Sequence, residues 1–436
     1  MADEPVAKDP VVNGTVMTTF LARMMGSAVR QTRPEGGVTA TPLGPARPVG
    51  QWAFAGVAVA SLGGPLALAA LYAPSIAGGA SSSAGLAMVA AAVAFGFPLA
   101  IWFGYARHVS SSGGLYSFTE AAVGRPVALV QASLWALSYL LYLVYTTAQI
   151  VYDTLPAVLP GEVRYQTLLE VAIPVVLAGV LIAGRGAALL VIGLLAAGQL
   201  ALAAALSGVT LANVTTPAGS FGASAPAGSL AIASGQTALL YICGSLPFFM
   251  GGELGGDLRQ RFRTTRRGLL GAYLATVVVI IAAVAPLAAD PALTQAPIPG
   301  MAVAERFVGH GFAVTVGIGV AVSVAVVILV EYLALSRLTV AVTSWPLRRV
   351  VIGIGVIMVA LAPVLLINPD RIYDNLLTPS LFALWLSELV TFAVYPRFVA
   401  KHGGRMLPAW VLTAGAVALA VYGLWTTIQT SSIGIS

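Results

Sequence analysis

Eleven long apolar stretches constrain this chain more than any other feature of its sequence. A helix needs about 20 mostly apolar residues to cross the hydrocarbon core of a membrane. Only helices and closed barrels satisfy all backbone polar groups in lipid, so the stretches predict membrane-spanning helices. We number them span 1 to span 11 in chain order: residues 52–77, 83–105, 115–151, 167–183, 187–211, 231–252, 268–288, 312–336, 349–367, 373–395 and 408–427.

The composition excludes a water-soluble globular fold. Charged residues make up 9% of the 436 positions, whereas a soluble domain carries roughly 25%. The single cysteine, Cys243, excludes an intrachain disulfide, and His108, His310 and His402 all fall between spans. Signatures such as Gly-x-Ser-x-Gly and His-Glu-x-x-His are absent from the sequence. We therefore expect no enzyme activity, no cofactor and no resident metal.

The basic residues predict the orientation of the chain. With the N-terminus in the cytoplasm, the outer segments contain only Arg164, Arg306 and Arg371, and the other 19 of the 22 Lys and Arg lie inside. Such an excess is typical of cytoplasmic loops. We expect a multi-pass protein of the cytoplasmic membrane with an extracytoplasmic C-terminus. The net charge of +6 arises from these flanking residues, so the expected partner is the lipid bilayer and not nucleic acid.

Spans 1 and 6 are interrupted near their middle. Residues 61–65 read Ser-Leu-Gly-Gly-Pro, and residues 243–247 read Cys-Gly-Ser-Leu-Pro. Proline removes a helical hydrogen bond, and glycine lowers the cost of leaving helical geometry. Two ordinary proline kinks are one interpretation, since membrane helices tolerate them. Interruptions five spans apart favour the other, a transporter site between two inverted repeats.

Several motifs resemble those of the amino acid–polyamine–organocation (APC) superfamily of transporters. Besides the glycine-rich break in span 1, residues 112–118 (Ser-Gly-Gly-Leu-Tyr-Ser-Phe) resemble the start of the family's third helix. Residues 248–253 (Phe-Phe-Met-Gly-Gly-Glu) resemble its sixth, and Arg337 sits where the family usually has arginine. The resemblance implies an all-α membrane protein with a LeuT-like fold of two inverted five-helix repeats. Spans 1 and 6 would be unwound at the midplane, as in an amino acid permease.

The resemblance also divides the chain. Residues 1–50 are expected to form a cytoplasmic tail, either disordered or lying at the membrane interface. Residues 51–212 and 230–400 would form the first and second repeats, with spans 1–5 and 6–10. Residues 406–436 would add span 11 and the C-terminus.

The two breaks predict a site for a small zwitterion. The second half of span 1 begins near Pro65, where free amides at a positive helix end bind a carboxylate. The first half of span 6 ends in carbonyl oxygens that accept an ammonium group. Because every Lys and Arg lies in a loop or at a span end, no cation is available at the midplane to neutralise an unpaired anion. The expected substrate-binding residues are Ser61, Leu62, Gly63, Gly64, Tyr139, Tyr241, Ile242, Cys243, Gly244, Ser245, Phe248, Phe249 and Gly251.

Four further residues are candidates for coupling or gating. Ser323 offers a hydroxyl in span 8 to a sodium ion, and Glu253 is expected to pair with Arg259 or Arg261. Glu331 and Glu388 lie within spans 8 and 10, where an acid is a functional hypothesis by default. The coupling ion is H⁺ or Na⁺, and exchange or facilitated diffusion without an ion stays open.

The sequence thus predicts a secondary transporter that moves amino acids or a related small zwitterion by alternating access. The alternatives are an APC-type transporter of amines, polyamines or another small organic solute, and an exchanger or facilitator without ion coupling.

The predicted topology can be tested with reporter fusions. We expect alkaline phosphatase fused after Ser436 to be active and the same reporter fused after Arg405 to be inactive. The reason is that this enzyme needs disulfides, which form outside the cytoplasm. Activity on intact cells is the measurement, and the reverse pattern would contradict the orientation.

Overall fold

The computed structural model describes residues 48–159, 161, 165–367 and 369–433. In these residues the chain is helical, and the only β pairing is an isolated bridge between Val49 and Leu254. All but the last three residues of the predicted tail lie outside the described residues. Helices occupy all eleven predicted spans: Gln51–Ala77, Ala84–Ala106, Arg125–Val158, Gln166–Ile182, Arg185–Asn213, Ala227–Glu253, Leu258–Ala289, His310–Thr343, Leu347–Ile367, Pro369–Ala393 and Met406–Ile433.

The helices form a multi-pass membrane bundle. Among the described residues, nine stretches are long and apolar enough to cross a bilayer, and span 4 is a shorter apolar helix of 17 residues. Large apolar side chains such as Val176, Leu194 and Val356 are exposed on the outside of the bundle. Their exposure fits lipid contact, because a soluble protein rarely exposes so much apolar surface.

The predicted span 3 is in fact two helices. A short helix, Leu115–Val123, ends at Gly124, and the long helix of span 3 starts at Arg125. Gly124 has φ 91° and ψ 172°, a conformation essentially restricted to glycine. Span 7 also begins ten residues earlier than predicted, at Leu258, because Asp257 caps it by accepting the Gln260 amide at 2.7 Å.

Spans 1 and 8 form the centre of the bundle. Span 1 meets span 5 backbone to backbone, since a Cβ on Gly56 would lie 2.8 Å from the Cα of Gly193. Small residues permit such close approach between membrane helices. Span 8 is buried without interruption from Val326 to Leu338, and it packs against both broken helices. These contacts hold the interruption of span 1 inside the protein.

The strain at Gly124 leads to a matched prediction. We expect Gly124→Ala to lower the free energy of unfolding by about 1–3 kcal/mol, because alanine at this φ and ψ is strained. Gly179 lies inside span 4, and a Cβ at either glycine would meet open space. Gly179→Ala should therefore be neutral or stabilising. Thermal unfolding of both variants in detergent is the measurement, and equal melting temperatures would contradict the strain.

Candidate functional site

The break in span 1 covers three residues. The first α-helical segment ends at Ser61, and helical geometry resumes at Pro65. Gly63 and Gly64 have φ values of 76° and 70°, which L side chains rarely adopt. In the described part of the chain, the amides of Gly63 and Gly64 donate no hydrogen bond of standard geometry. Two free backbone donors therefore lie together in the middle of a membrane helix.

Span 6 changes its form of helix at the predicted place. Its α-helix ends at Leu240, and a 3₁₀-helix runs from Ile242 to Glu253. The expected interruption of the α-helix is present, but the backbone there forms a narrower 3₁₀-helix and is not unwound. Pro247 lies within the 3₁₀ segment, where it cannot donate a backbone hydrogen bond. The transition leaves the last carbonyls of the α-helix at the level of the break in span 1.

The two breaks touch each other. A Cβ on Gly63 would lie 2.9 Å from the carbonyl oxygen of Leu240, and a Cβ on Gly244 would lie 3.0 Å from Leu62 Cδ2. Most of the predicted site residues at the breaks are buried, namely Ser61, Leu62, Gly64, Tyr241, Ile242, Cys243, Gly244 and Ser245, while Gly63 is half-buried. The amides of span 1 thus lie beside the carbonyl end of span 6, in a part of the bundle closed to solvent.

An aromatic wall covers span 6 beyond the break. Tyr139 stacks on Trp135 with ring centroids 4.0 Å apart, and Trp135 lies 4.4 Å from the ring of Phe249. Phe248 packs against Trp102 and Phe103 of span 2 and against Phe118 of the short helix Leu115–Val123. Both phenylalanines are closely packed in the closed bundle.

Gly251 lies further along the 3₁₀ segment than the break itself. Its carbonyl accepts the Ser110 hydroxyl at 2.8 Å, and a Cβ there would lie 3.1 Å from the Ser111 carbonyl. It therefore packs on the loop before the short helix Leu115–Val123.

Cys243 connects the break to a buried acid. The Tyr139 hydroxyl donates to Cys243 Sγ at 3.7 Å, and the thiol donates to Glu331 Oε1 at 3.6 Å. All three side chains are buried, and Glu331 Oε2 has no hydrogen-bond partner. The structure thus brings residues from spans 3, 6 and 8 into one polar cluster, which we call the Glu331 cluster.

The second intramembrane acid lies nearby. Glu388 in span 10 is fully buried beside the Ser245 hydroxyl and the Trp102 indole. Neither of its carboxyl oxygens accepts a hydrogen bond of standard geometry. Both predicted acids therefore lie against the 3₁₀ part of span 6.

Ser323 lies on the other side of span 1. Its hydroxyl donates to Gln199 Oε1 at 2.5 Å and accepts the Ala67 amide at 3.3 Å. A Cβ on Gly64 would overlap it at 2.4 Å. The sequence prediction missed Gln199 as a site residue, although a lone amide in an otherwise apolar span was the available signal.

Glu253 binds other arginines than the predicted ones. Arg337 donates from Nε to Glu253 Oε1 and from Nη2 to Oε2 at 3.2 Å, and Arg185 Nη1 donates to Oε2 at 3.4 Å. Arg261 donates instead to the Gly256 carbonyl, because the turn at Asp257 starts a new helix that carries it away. The Val49 amide donates to the Glu253 carbonyl at 2.9 Å. We call Glu253, Arg337 and Arg185 the Glu253 cluster; it joins spans 5, 6 and 8 at the end assigned to the cytoplasm.

Comparisons with known proteins bear on the fold. No protein-family model and no curated protein sequence matches the chain. Solved structures of the manganese transporter of Eremococcus coleocola are similar. A histidine-to-alanine mutant of it is 12% identical, with a TM-score of 0.59 and 90% of each chain covered. The same transporter in complex with an aromatic bis-isothiourea compound is 11% identical, with a TM-score of 0.60 and the same coverage. These similarities confirm the all-helical, LeuT-like fold.

The Glu253 cluster gives a prediction about opening. In Glu253→Gln the buried Arg337 loses its counter-ion, which should cost the closed state about 3–5 kcal/mol. We expect faster alkylation of Cys243, which is buried and is the one cysteine of the chain. The rate of labelling by a hydrophilic maleimide is the measurement.

The control for this experiment is Asp257→Asn, which keeps the helix cap and leaves the Glu253 cluster intact. If Glu253→Gln folds poorly, Arg185→Gln removes only the longer contact of the cluster. Labelling of both Glu253→Gln and Arg185→Gln at the wild-type rate would contradict a closing role.

Proposed function

We propose that the protein is a secondary transporter that works by alternating access on a small organic solute with an ammonium group, in the first place an amino acid. One observation carries the proposal. The unbonded amides of Gly63 and Gly64 lie beside the carbonyl of Leu240, where the α-helix of span 6 ends. A donor end and an acceptor end therefore face each other across one buried site.

A zwitterion matches these two ends. Its carboxylate would accept hydrogen bonds from the amides of Gly63 and Gly64 at the positive end of the helix that starts at Pro65. Its ammonium group would donate to carbonyls near Leu240 and Tyr241. Such a site needs no charged side chain, in keeping with a midplane that lacks Lys and Arg.

Alternating access needs a closed state between two open ones. The buried break residues correspond to such a state. At the end assigned to the cytoplasm, the Glu253 cluster ties span 6 to spans 5 and 8, and Val49 at the start of span 1 joins it through the backbone. Release of these contacts would let the first half of span 1 swing away and uncover the break.

Manganese is the second candidate substrate, because the similar solved structures are those of a manganese transporter. Mn²⁺ favours carboxylate, carbonyl and water oxygens. In the described residues no group of three or more His, Cys, Asp or Glu converges, and the break in span 1 carries no acid, amide or imidazole side chain. The site chemistry therefore supports an organic ammonium solute over a metal ion.

Ligand-dependent thermal stability distinguishes the substrate classes. Purified protein would be heated with each of the L-amino acids, with amines and polyamines, and with Mn²⁺, in the presence and absence of sodium and at several pH values. A ligand that binds only the folded form raises the melting temperature. We expect the largest rise with an amino acid, and a rise with Mn²⁺ alone would replace our proposal by metal transport.

The break itself is tested by Gly63→Leu. We expect loss of uptake with normal membrane insertion, because leucine at φ 76° is strained and its Cβ would lie 2.9 Å from the Leu240 carbonyl. Gly198→Leu is the control, since a Cβ at that exposed position in span 5 meets open space. Uptake into proteoliposomes is the measurement. Equal uptake by both variants would argue strongly against the site.

A further inference from the structure

We propose that the Glu331 carboxyl binds either a proton or the ammonium group of the solute, so that the two exchange at one site. The inference rests on the proposed transport function and deepens it. It assigns a coupling ion, H⁺, and adds a carboxyl group to the backbone carbonyls as a partner for the ammonium group.

Glu331 lies within reach of the break in span 6. Its Oε1 accepts the thiol of Cys243, the third residue after Leu240, and its Oε2 is buried without a partner. The other titratable groups near it are Tyr139 and Tyr142 in span 3. Residues 51–67 of span 1, which also pack on span 8 on both sides of the break, have no titratable side chain. One carboxyl oxygen is thus free beside the expected ammonium position.

No cation of the described chain neutralises Glu331. Arg337 lies about 9 Å further along the same helix and binds Glu253 through two hydrogen bonds. Arg185 also contacts Glu253. Glu388 is the other acid beside span 6, and an acid provides no counter-ion for Glu331. A buried carboxylate without a counter-ion is costly. In the closed state the Glu331 carboxyl must therefore be neutralised by a bound proton or a bound cation.

This requirement couples the two ligands. In the empty closed protein, the proton occupies one carboxyl oxygen. When the site opens to water, the O–H bond breaks, the proton passes to water and the carboxylate remains. The ammonium group of an entering solute can then neutralise that carboxylate and permit closure. Solute movement in one direction would thus be accompanied by proton movement in the other.

The protonation of Glu331 can be tested without any solute. We expect infrared spectra of the purified protein at neutral pH to contain the carbonyl band of a protonated carboxylic acid that Glu331→Gln lacks. The difference spectrum between the two proteins is the measurement. Spectra with no such difference would overturn the inference, because Glu331 would then be ionised in the empty protein.

The exchange itself is tested by proton release in weakly buffered detergent solution. A mixture of the L-amino acids serves as the probe. We expect wild-type protein to release protons when it binds amino acids. Its affinity for them should rise about tenfold for each unit of increase in pH, over the pH range in which Glu331 is protonated in the free protein. Glu331→Gln should release none and show no pH dependence. Glu170→Gln is the control, because Glu170 is a buried acid of span 4 that accepts a hydrogen bond from Tyr152.

The outcomes separate this inference from the proposed function. A thermal shift with amino acids but no proton release would overturn the exchange and leave transport of amino acids standing. Proton release that persists in Glu331→Gln would also overturn it. Without a thermal shift by any amino acid, the proposed substrate class fails, and the infrared comparison still decides whether Glu331 holds a proton.

Discussion

The membrane interior supplies no hydrogen bonds, and this constraint governs the whole molecule. A spanning helix satisfies the hydrogen bonds of its own backbone. Each non-helical segment inside the bilayer therefore needs hydrogen-bond partners from other parts of the protein or from a ligand. Span 1 departs from helical geometry at residues 62–64, where the amides of Gly63 and Gly64 donate no hydrogen bond of standard geometry. Spans 5, 6 and 8 surround the interruption through Gln199, Leu240 and Ser323. The bundle therefore encloses a polar backbone segment that a solute can complete.

The membrane interior also has a low dielectric constant, and the buried acids in it are of two kinds. Glu253 is paired with Arg337 and Arg185, and the pairing joins helices at one end of the bundle. Glu331 and Glu388 have no cation among the described residues and lie against the part of span 6 that follows the break. Paired charges can hold a conformation closed, whereas an unpaired acid needs a proton or a cation before the site can close around it. Closure and ligand binding thus both depend on the cost of burying a charge without a counter-ion.

The sequence predicted the spans and the breaks because both are local properties. A run of apolar residues and the Gly-Gly-Pro at residues 63–65 act on their own segment of chain. The pairing of Glu253 with Arg337 was missed, since it joins spans 6 and 8 and depends on how two helices are rotated. The 3₁₀ form of span 6 and the bond between Gln199 and Ser323 depend likewise on packing between spans. Gly124 is a local indication that a helix ends there, but it lies within a long apolar run, and the sequence analysis therefore predicted one continuous span.

The substrate is decided by side chains that the fold does not fix. At 11–12% identity a manganese transporter and this chain share helix positions over most of their length, yet a fold hosts many functions. In this chain the break of span 1 carries serine, leucine and glycine, and the one nearby thiol lies against a carboxyl and a phenol. In our proposal, backbone dipoles and the unpaired Glu331 would bind a carboxylate and an ammonium group, whereas a hard metal ion needs several converging oxygen ligands. A shared arrangement of helices therefore does not by itself assign the neighbour's substrate to this chain.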